Sequence, residues 1–128
     1  MPRKKHEKIA AVRTFNNVFD YKHANVSEKI KNFLNGKTVI VELGCGHADY
    51  TINLAKMHLR KIFIGIDRKP SRIYNGAKFC KENNIENAAF MICYAEKLDE
   101  FLPKESISEI WITFPDPYPR RSSMKKRL

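Results

Sequence analysis

A chain of 128 residues, 43% apolar and 30% charged, is long enough for one domain around a core and too apolar to stay disordered. Its 24 Lys and Arg against 14 Asp and Glu give a formal charge of +10, which points to a polyanionic partner, since Lys and Arg that neutralise phosphates release condensed counterions. Cys45, Cys80 and Cys93 are an odd set without paired or zinc-type spacing, so a disulfide framework and a metal site are not expected and a reducing cytoplasm fits; no apolar run is long enough for a signal peptide or a membrane span.

Residues 1–24 form a basic arm in which Ile9, Val12, Phe15, Val18 and Phe19 show no strong periodicity, so a partly ordered extension is expected, followed by a folded region over 25–128. Over 27–35, Ser27 as N-cap, the apolar face of Ile30, Phe33 and Leu34, and Gly36 as a stop predict a helix. The β-branched run Thr38–Leu43 between Gly36 and Gly44 reads as a buried strand. Ala48, Ile52, Ala55 and Leu59 predict a helix after Gly46. Residues 62–67 form a second strand, and a second helix starts near Pro70 with Ile73, Ala77 and Cys80 on one face. A weaker strand over 89–93, a short helix over 96–102 ended by Pro103, and a strand over 107–114 follow. Strands alternating with helices predict an α/β fold, a parallel sheet covered on both faces.

Ligands of such sheets bind beyond the carboxyl ends of the strands, where the first strand turns into its helix. Here the turn is Glu42-Leu43-Gly44-Cys45-Gly46-His47-Ala48-Asp49, and a further acid, Asp67, closes the next strand, where a carboxylate can accept ribose hydroxyls. Gly44 and Gly46 let the backbone approach a ligand. A dinucleotide would place a pyrophosphate on this turn, yet its third glycine would fall on Asp49, and Glu42 would face a double anion. S-adenosyl-L-methionine carries no phosphate, and its amino and sulfonium groups are cationic, so the acids favour it over NAD. Taken singly, His47 reads as a solvated first-turn residue and Cys45 as a small residue filling a tight turn.

The last strand runs into Thr113-Phe114-Pro115-Asp116-Pro117-Tyr118-Pro119, where three alternating prolines stiffen the chain and hold Asp116 beside the expected methyl donor. Trp111 reads as core; for Tyr118, stacking on a base and packing remain equal alternatives. The segment Arg120 to Arg127 contains no acid and is suited to holding phosphates near that loop.

Together these blocks resemble the bacterial tRNA (guanine(46)-N7)-methyltransferase family. The resemblance is carried by residues 15–19 (FNNVF), 41–46 (VELGCG), 63–69 (FIGIDRK), 72–78 (RIYNGAK) and above all 109–119 (EIWITFPDPYP). It implies a class I, Rossmann-like, S-adenosylmethionine-dependent methyltransferase, with about the first four strands of a seven-stranded, mostly parallel sheet in this sequence, and tRNA as partner. It further implies that Glu42 and Asp67 hold the cofactor, that Asp116 sits at the catalytic centre and also meets the cofactor, and that Arg120 meets the substrate. Residues 122–127, with Lys125, Lys126 and Arg127, are implied to touch RNA. Two positions depart from the family: Arg120 stands where Lys is usual, and Tyr94 where Asp or Asn near the adenine is usual, so ring stacking or a backbone contact is expected there instead. The family's later substrate residues, including a Thr-x-Phe-Glu segment, are not in this sequence, which is therefore expected to be the N-terminal half of a longer domain. Two alternatives remain, an amino-methyltransferase acting on adenine or cytosine and a catalytically idle RNA-binding fragment or partner subunit.

Overall fold

The computed structural model describes residues 5–112. In chain order these hold α1 (Lys5–Val12), β1 (Val18–Asp20), α2 (Val26–Leu34), β2 (Val39–Leu43), α3 (Asp49–Met57), β3 (Ile62–Asp67), α4 (Pro70–Glu82), β4 (Ala88–Ile92), a 3-10 turn (Ala95–Lys97), α5 (Leu98–Phe101) and β5 (Ile107–Ile112). The five strands form one sheet in the spatial order β1-β4-β3-β2-β5, and each neighbouring pair is parallel.

Each strand is apolar along its length because alternate residues serve two cores, one on each face of the sheet. Ile40, Phe63, Phe90 and Ile92 point to one face, where Ala48, Ile52, Ala55, Ile73, Ala77 and Cys80 of the α3 and α4 segments cover them with Val12 of α1. Val39, Val41, Ile64, Ile66 and Met91 point to the other, under Val26, Ile30 and Leu34 of α2 and Leu98 by α5. Such a sheet, covered on both faces, is the architecture expected from the alternating elements.

The arm is more structured than its weak periodicity implied. Residues 5–12 are a helix packed on α4, and residues 18–20 are a strand on the far edge of the sheet. That strand extends its ladder at both ends, with the Phe90 amide donating to the Asn17 carbonyl and the Tyr21 amide to that of Ile92. At three residues it is too short to display a period. Three smaller expectations are also corrected. Ser27 is an exposed residue inside α2, whose N-cap is Asn25 in the left-handed region; Leu59 lies beyond the end of α3 and is exposed. Trp111 is not core among the described residues: it is 42% exposed on edge strand β5, against the ring of Tyr50 at 5.6 Å. Residues 113 and 114, expected to finish that strand, lie outside the described residues.

Candidate cofactor site at the switch point of the sheet

The chain lays β3 and β4 successively on one side of β2, then returns to place β5 on the other. This reversal opens a crevice beyond the carboxyl ends of β2 and β5, the usual ligand position in such sheets. Leu43 pairs with Ile66 of β3 and with Ile112 of β5, so the turn after β2 sits between two other strand ends.

That turn runs through the left-handed region at every second residue: Gly44 at φ 67°, Gly46 at φ 57° and Ala48 at φ 65°. Glycine carries the first two without strain, whereas Ala48 holds the conformation at a cost of about 1–2 kcal/mol. A Cβ at Gly44 or Gly46 would meet nothing within 4 Å, so the glycines are required by backbone conformation and leave open space for a ligand. The turn is anchored by the Cys45 amide on the Ile66 carbonyl (2.9 Å) and the Ala48 amide on that of Cys45 (2.8 Å).

Asp67 adds the decisive tie. Its Oδ2 accepts the Gly46 amide at 3.0 Å and its Oδ1 the Lys69 amide at 3.0 Å, so one carboxylate joins the turn, the end of β3 and the entry to α4. A carboxylate has about four acceptor positions, which leaves lone pairs for ribose hydroxyls after these two bonds. Glu42, 5% exposed beneath the turn, accepts the Thr51 hydroxyl of α3 on Oε1 at 2.5 Å. Between the two acids sits Cys45, whose thiol is pushed well up by burial and then by the charges of Glu42 and Asp67. It is buried and fills the turn as a small residue, as expected, and His47 is exposed.

Beside Asp67, the Cys93 amide donates to the Asp67 carbonyl at 3.3 Å, which brings Tyr94 to the neighbouring strand end. Tyr94 is half-exposed and meets Tyr21 edge-on, ring centroids 6.3 Å apart. Glu42, Gly44, Gly46, Asp67 and Tyr94 thus lie along adjacent ends of β2, β3 and β4. Asp116, Arg120, Lys125, Lys126 and Arg127 lie outside the described residues, beyond β5.

Sequence reasoning missed several supports. Thr51 gave no signal, because a lone threonine in a helix does not announce a buried partner. Gly65 and Gly76 did give one, since an isolated glycine inside a strand or helix marks a close approach. A Cβ at Gly65 would lie 3.0 Å from the Cys45 Sγ, and one at Gly76 would lie 2.9 Å from the His47 carbonyl oxygen. The turn therefore rests on two glycine surfaces. Tyr21 was missed because the strand that delivers it was missed.

The arrangement suits a ligand with cationic character. Two largely buried carboxylates at the turn, with Asp49 exposed in the first turn of α3, disfavour a phosphate there and stabilise a positive group. Among the described residues no cluster of His, Cys, Asp or Glu has the geometry of a metal site.

Known proteins resemble this chain in sequence and in fold. The model of a family described as putative methyltransferase matches residues 36–128. The tRNA (guanine-N(7)-)-methyltransferase of Christiangramia forsetii is 41% identical over 112 residues, which cover 88% of this chain and 49% of that protein. The protein of the same description from Bacteroides fragilis is 34% identical over 137 aligned positions, covering 100% of this chain and 54% of the relative. The chain spans about half the length of the curated relatives it matches. Among solved structures, a 30S ribosomal methyltransferase from an uncultured bacterium superposes with a TM-score of 0.57 at 27% identity, over 70% of this chain and 44% of that one. An antibiotic-resistance methyltransferase gives 0.54 at 20% identity, over 70% and 48%, a likeness of fold alone.

Proposed function

This chain belongs to the putative methyltransferase family, and from that premise we propose that it forms the cofactor-binding part of an enzyme that methylates N7 of guanine 46 in tRNA from S-adenosyl-L-methionine. Its Rossmann-like fold is that of class I methyltransferases. The observation that carries the proposal is the Gly44-x-Gly46 turn braced by Asp67 and underlain by Glu42 at the switch point of a parallel sheet. The named relatives supply the substrate class, and the charge of +10 fits an RNA partner.

The residues divide the work by position. Gly44 and Gly46 would leave room for the cofactor's amino-acid end, the Asp67 carboxylate would accept the ribose hydroxyls, and Tyr94 would stand by the adenine. When bound, S-adenosyl-L-methionine supplies an electrophilic methyl group. Guanine N7 has an exposed lone pair and no proton, so no strong base is needed, and alignment provides much of the rate. The methylated base is cationic, and the carboxylate of Asp116, on its proline-flanked segment, stabilises that developing charge. Arg120, Lys125, Lys126 and Arg127 would hold the RNA beside it. With a tRNA substrate, a cytoplasmic location is part of this reading. Among the described residues, no helix is long and apolar enough to cross a membrane.

The test is product analysis on the intact protein. Incubation with unmodified tRNA and labelled cofactor should yield 7-methylguanosine at position 46. N6-methyladenosine or a methylated cytosine would establish the amino-methyltransferase alternative. Tight RNA binding with no cofactor uptake in a calorimetric titration would establish the idle subunit.

A further inference from the structure

The packing of α1 on α4 produces a feature that the cofactor site does not use. The Lys8 ammonium lies 5.7 Å and that of Lys78 6.0 Å from the centroid of the Tyr74 ring, and Lys81 lies 4.4 Å from that of Phe15. The two rings meet each other at 5.8 Å. Tyr74 is buried and Phe15 half-buried, so they do not serve as platforms for bases; they hold three lysines from two helices on one face. An ammonium resting on a ring keeps donors turned outward.

This face is directional. Lys8 meets Tyr74 in the first half of α4, while Phe15, beyond the end of α1, meets Lys81 in the last turn of α4. α4 starts three residues after Asp67, so the end of this face where Lys8 meets Tyr74 lies nearer the cofactor site than the end at Lys81. From Tyr74 to Lys81 it runs about 10 Å along the helix. Over α1 and α4 there are five Lys or Arg (Lys5, Lys8, Arg72, Lys78, Lys81) against Glu7 and Glu82.

We propose that the α1–α4 face is an RNA-backbone surface, on which Lys8, Lys78 and Lys81 hold consecutive phosphates of the tRNA and lead it to the cofactor site. The ring-held lysines lose less conformational freedom on meeting a phosphate than free ones would, and this face gathers three of them, whereas Lys22 on Tyr21 and Lys56 on Phe79 stand singly. The inference rests on the tRNA reading and adds where the RNA lies.

The experiment compares two triple variants of the intact protein in tRNA binding across a salt series. Lys8→Gln, Lys78→Gln and Lys81→Gln together should weaken tRNA at least tenfold and lower the slope of log K against log salt by about two to three, near 0.7–0.9 per lost phosphate contact. KM for tRNA should rise while kcat and cofactor affinity stay at parental values. The control, Lys29→Gln, Lys31→Gln and Lys37→Gln, removes the same charge around α2 on the opposite face and should change binding less than threefold. Replacement of the first three by Arg should restore binding. Parental affinity and slope in the α1–α4 variant, or an equal loss in the α2 control, would overturn the proposal while leaving the tRNA function standing. A parent protein that binds no tRNA at all would overturn both.

Discussion

In the proposed site Asp67 has two tasks, because the carboxylate proposed for the ribose also receives the Gly46 and Lys69 amides. Replacement by Ala removes a ligand group and releases the turn, whereas Asn keeps one acceptor. We therefore expect Asp67→Ala to weaken S-adenosyl-L-methionine by about 2–4 kcal/mol and Asp67→Asn by about 1–2 kcal/mol, the scale of charge-assisted hydrogen bonds. Calorimetric titration checks this, and equal affinities for parent and Asp67→Ala would remove the residue from the site. Thr51 is the quieter counterpart. Thr51→Val deletes the hydroxyl that Glu42 accepts in a buried place and should cost about 1.5–3 kcal/mol of stability in denaturant unfolding. At Asp116 the expectation is kinetic. Asp116→Asn keeps size but not charge, so the methylation rate should fall by roughly 100-fold while cofactor affinity changes far less. Near-parental turnover would leave Asp116 without a catalytic part, and parallel losses of rate and affinity would make it a cofactor ligand first.

Between elements, the governing contact is the approach of α4 to the turn after β2. Gly76 allows the helix to sit so close that a Cβ there would lie 2.9 Å from the His47 carbonyl and 3.2 Å from the Ala48 Cβ. Alanine has the better helix propensity by about 1 kcal/mol, and overpacking costs about 1–3 kcal/mol, so the two terms oppose each other. Backbone cannot turn aside as a flexible side chain does, and overpacking should win. Gly76→Ala is thus expected to lower stability by about 1–2 kcal/mol and to weaken cofactor binding as His47 and Ala48 are displaced. A stabilised variant with parental affinity would show that α4 yields instead. A second junction, at β1, joins the arm to the sheet: buried Asp20 accepts the Arg13 guanidinium at 3.1 Å and the Lys22 amide at 2.9 Å, fixing the strand end that presents Tyr21 to Tyr94.

Over the whole molecule, the two cores enclose all three cysteines. Burial pushes the thiols of Cys80 and Cys93 up to about 11, with Glu96 adding to the effect on Cys93, and burial followed by the charges of Glu42 and Asp67 pushes that of Cys45 up. Unfolded thiols titrate near about 8.5. The folded state therefore holds protons that the unfolded state has released, and this contribution to stability is complete below about pH 8 and lost as pH rises through about 9–11. Stability should decline across that window in denaturant titrations. At pH 8 an alkylating reagent should label the native protein far more slowly than the protein in urea. Rapid labelling of all three native thiols would contradict the burial.

The sequence alone determined the repeating part of the fold and the residue types gathered at the candidate site. Ile62–Asp67 and Val39–Leu43 are legible because a strand buried on both faces must be apolar throughout, and the helix from Pro70 because proline favours a first turn and Ile73, Ala77 and Cys80 recur on one face. The turn of Gly44 and Gly46 was legible because a sharp turn demands glycine, and Glu42 and Asp67 because each stands at or beside the end of an apolar strand. Tertiary structure decided what depends on contacts between distant segments. Strand β1 forms because β4 offers an unpaired edge, not through any preference of Val18–Asp20 themselves. Gly76 and Gly65 matter only because α4 and β3 come to lie against the turn, and Thr51 because α3 brings it over Glu42. Lys8, Lys78 and Lys81 are scattered basic residues in the chain and become one surface when α1 packs on α4. Periodicity and turn chemistry are local and are written in the sequence, whereas close approach and shared faces exist only once the chain has folded.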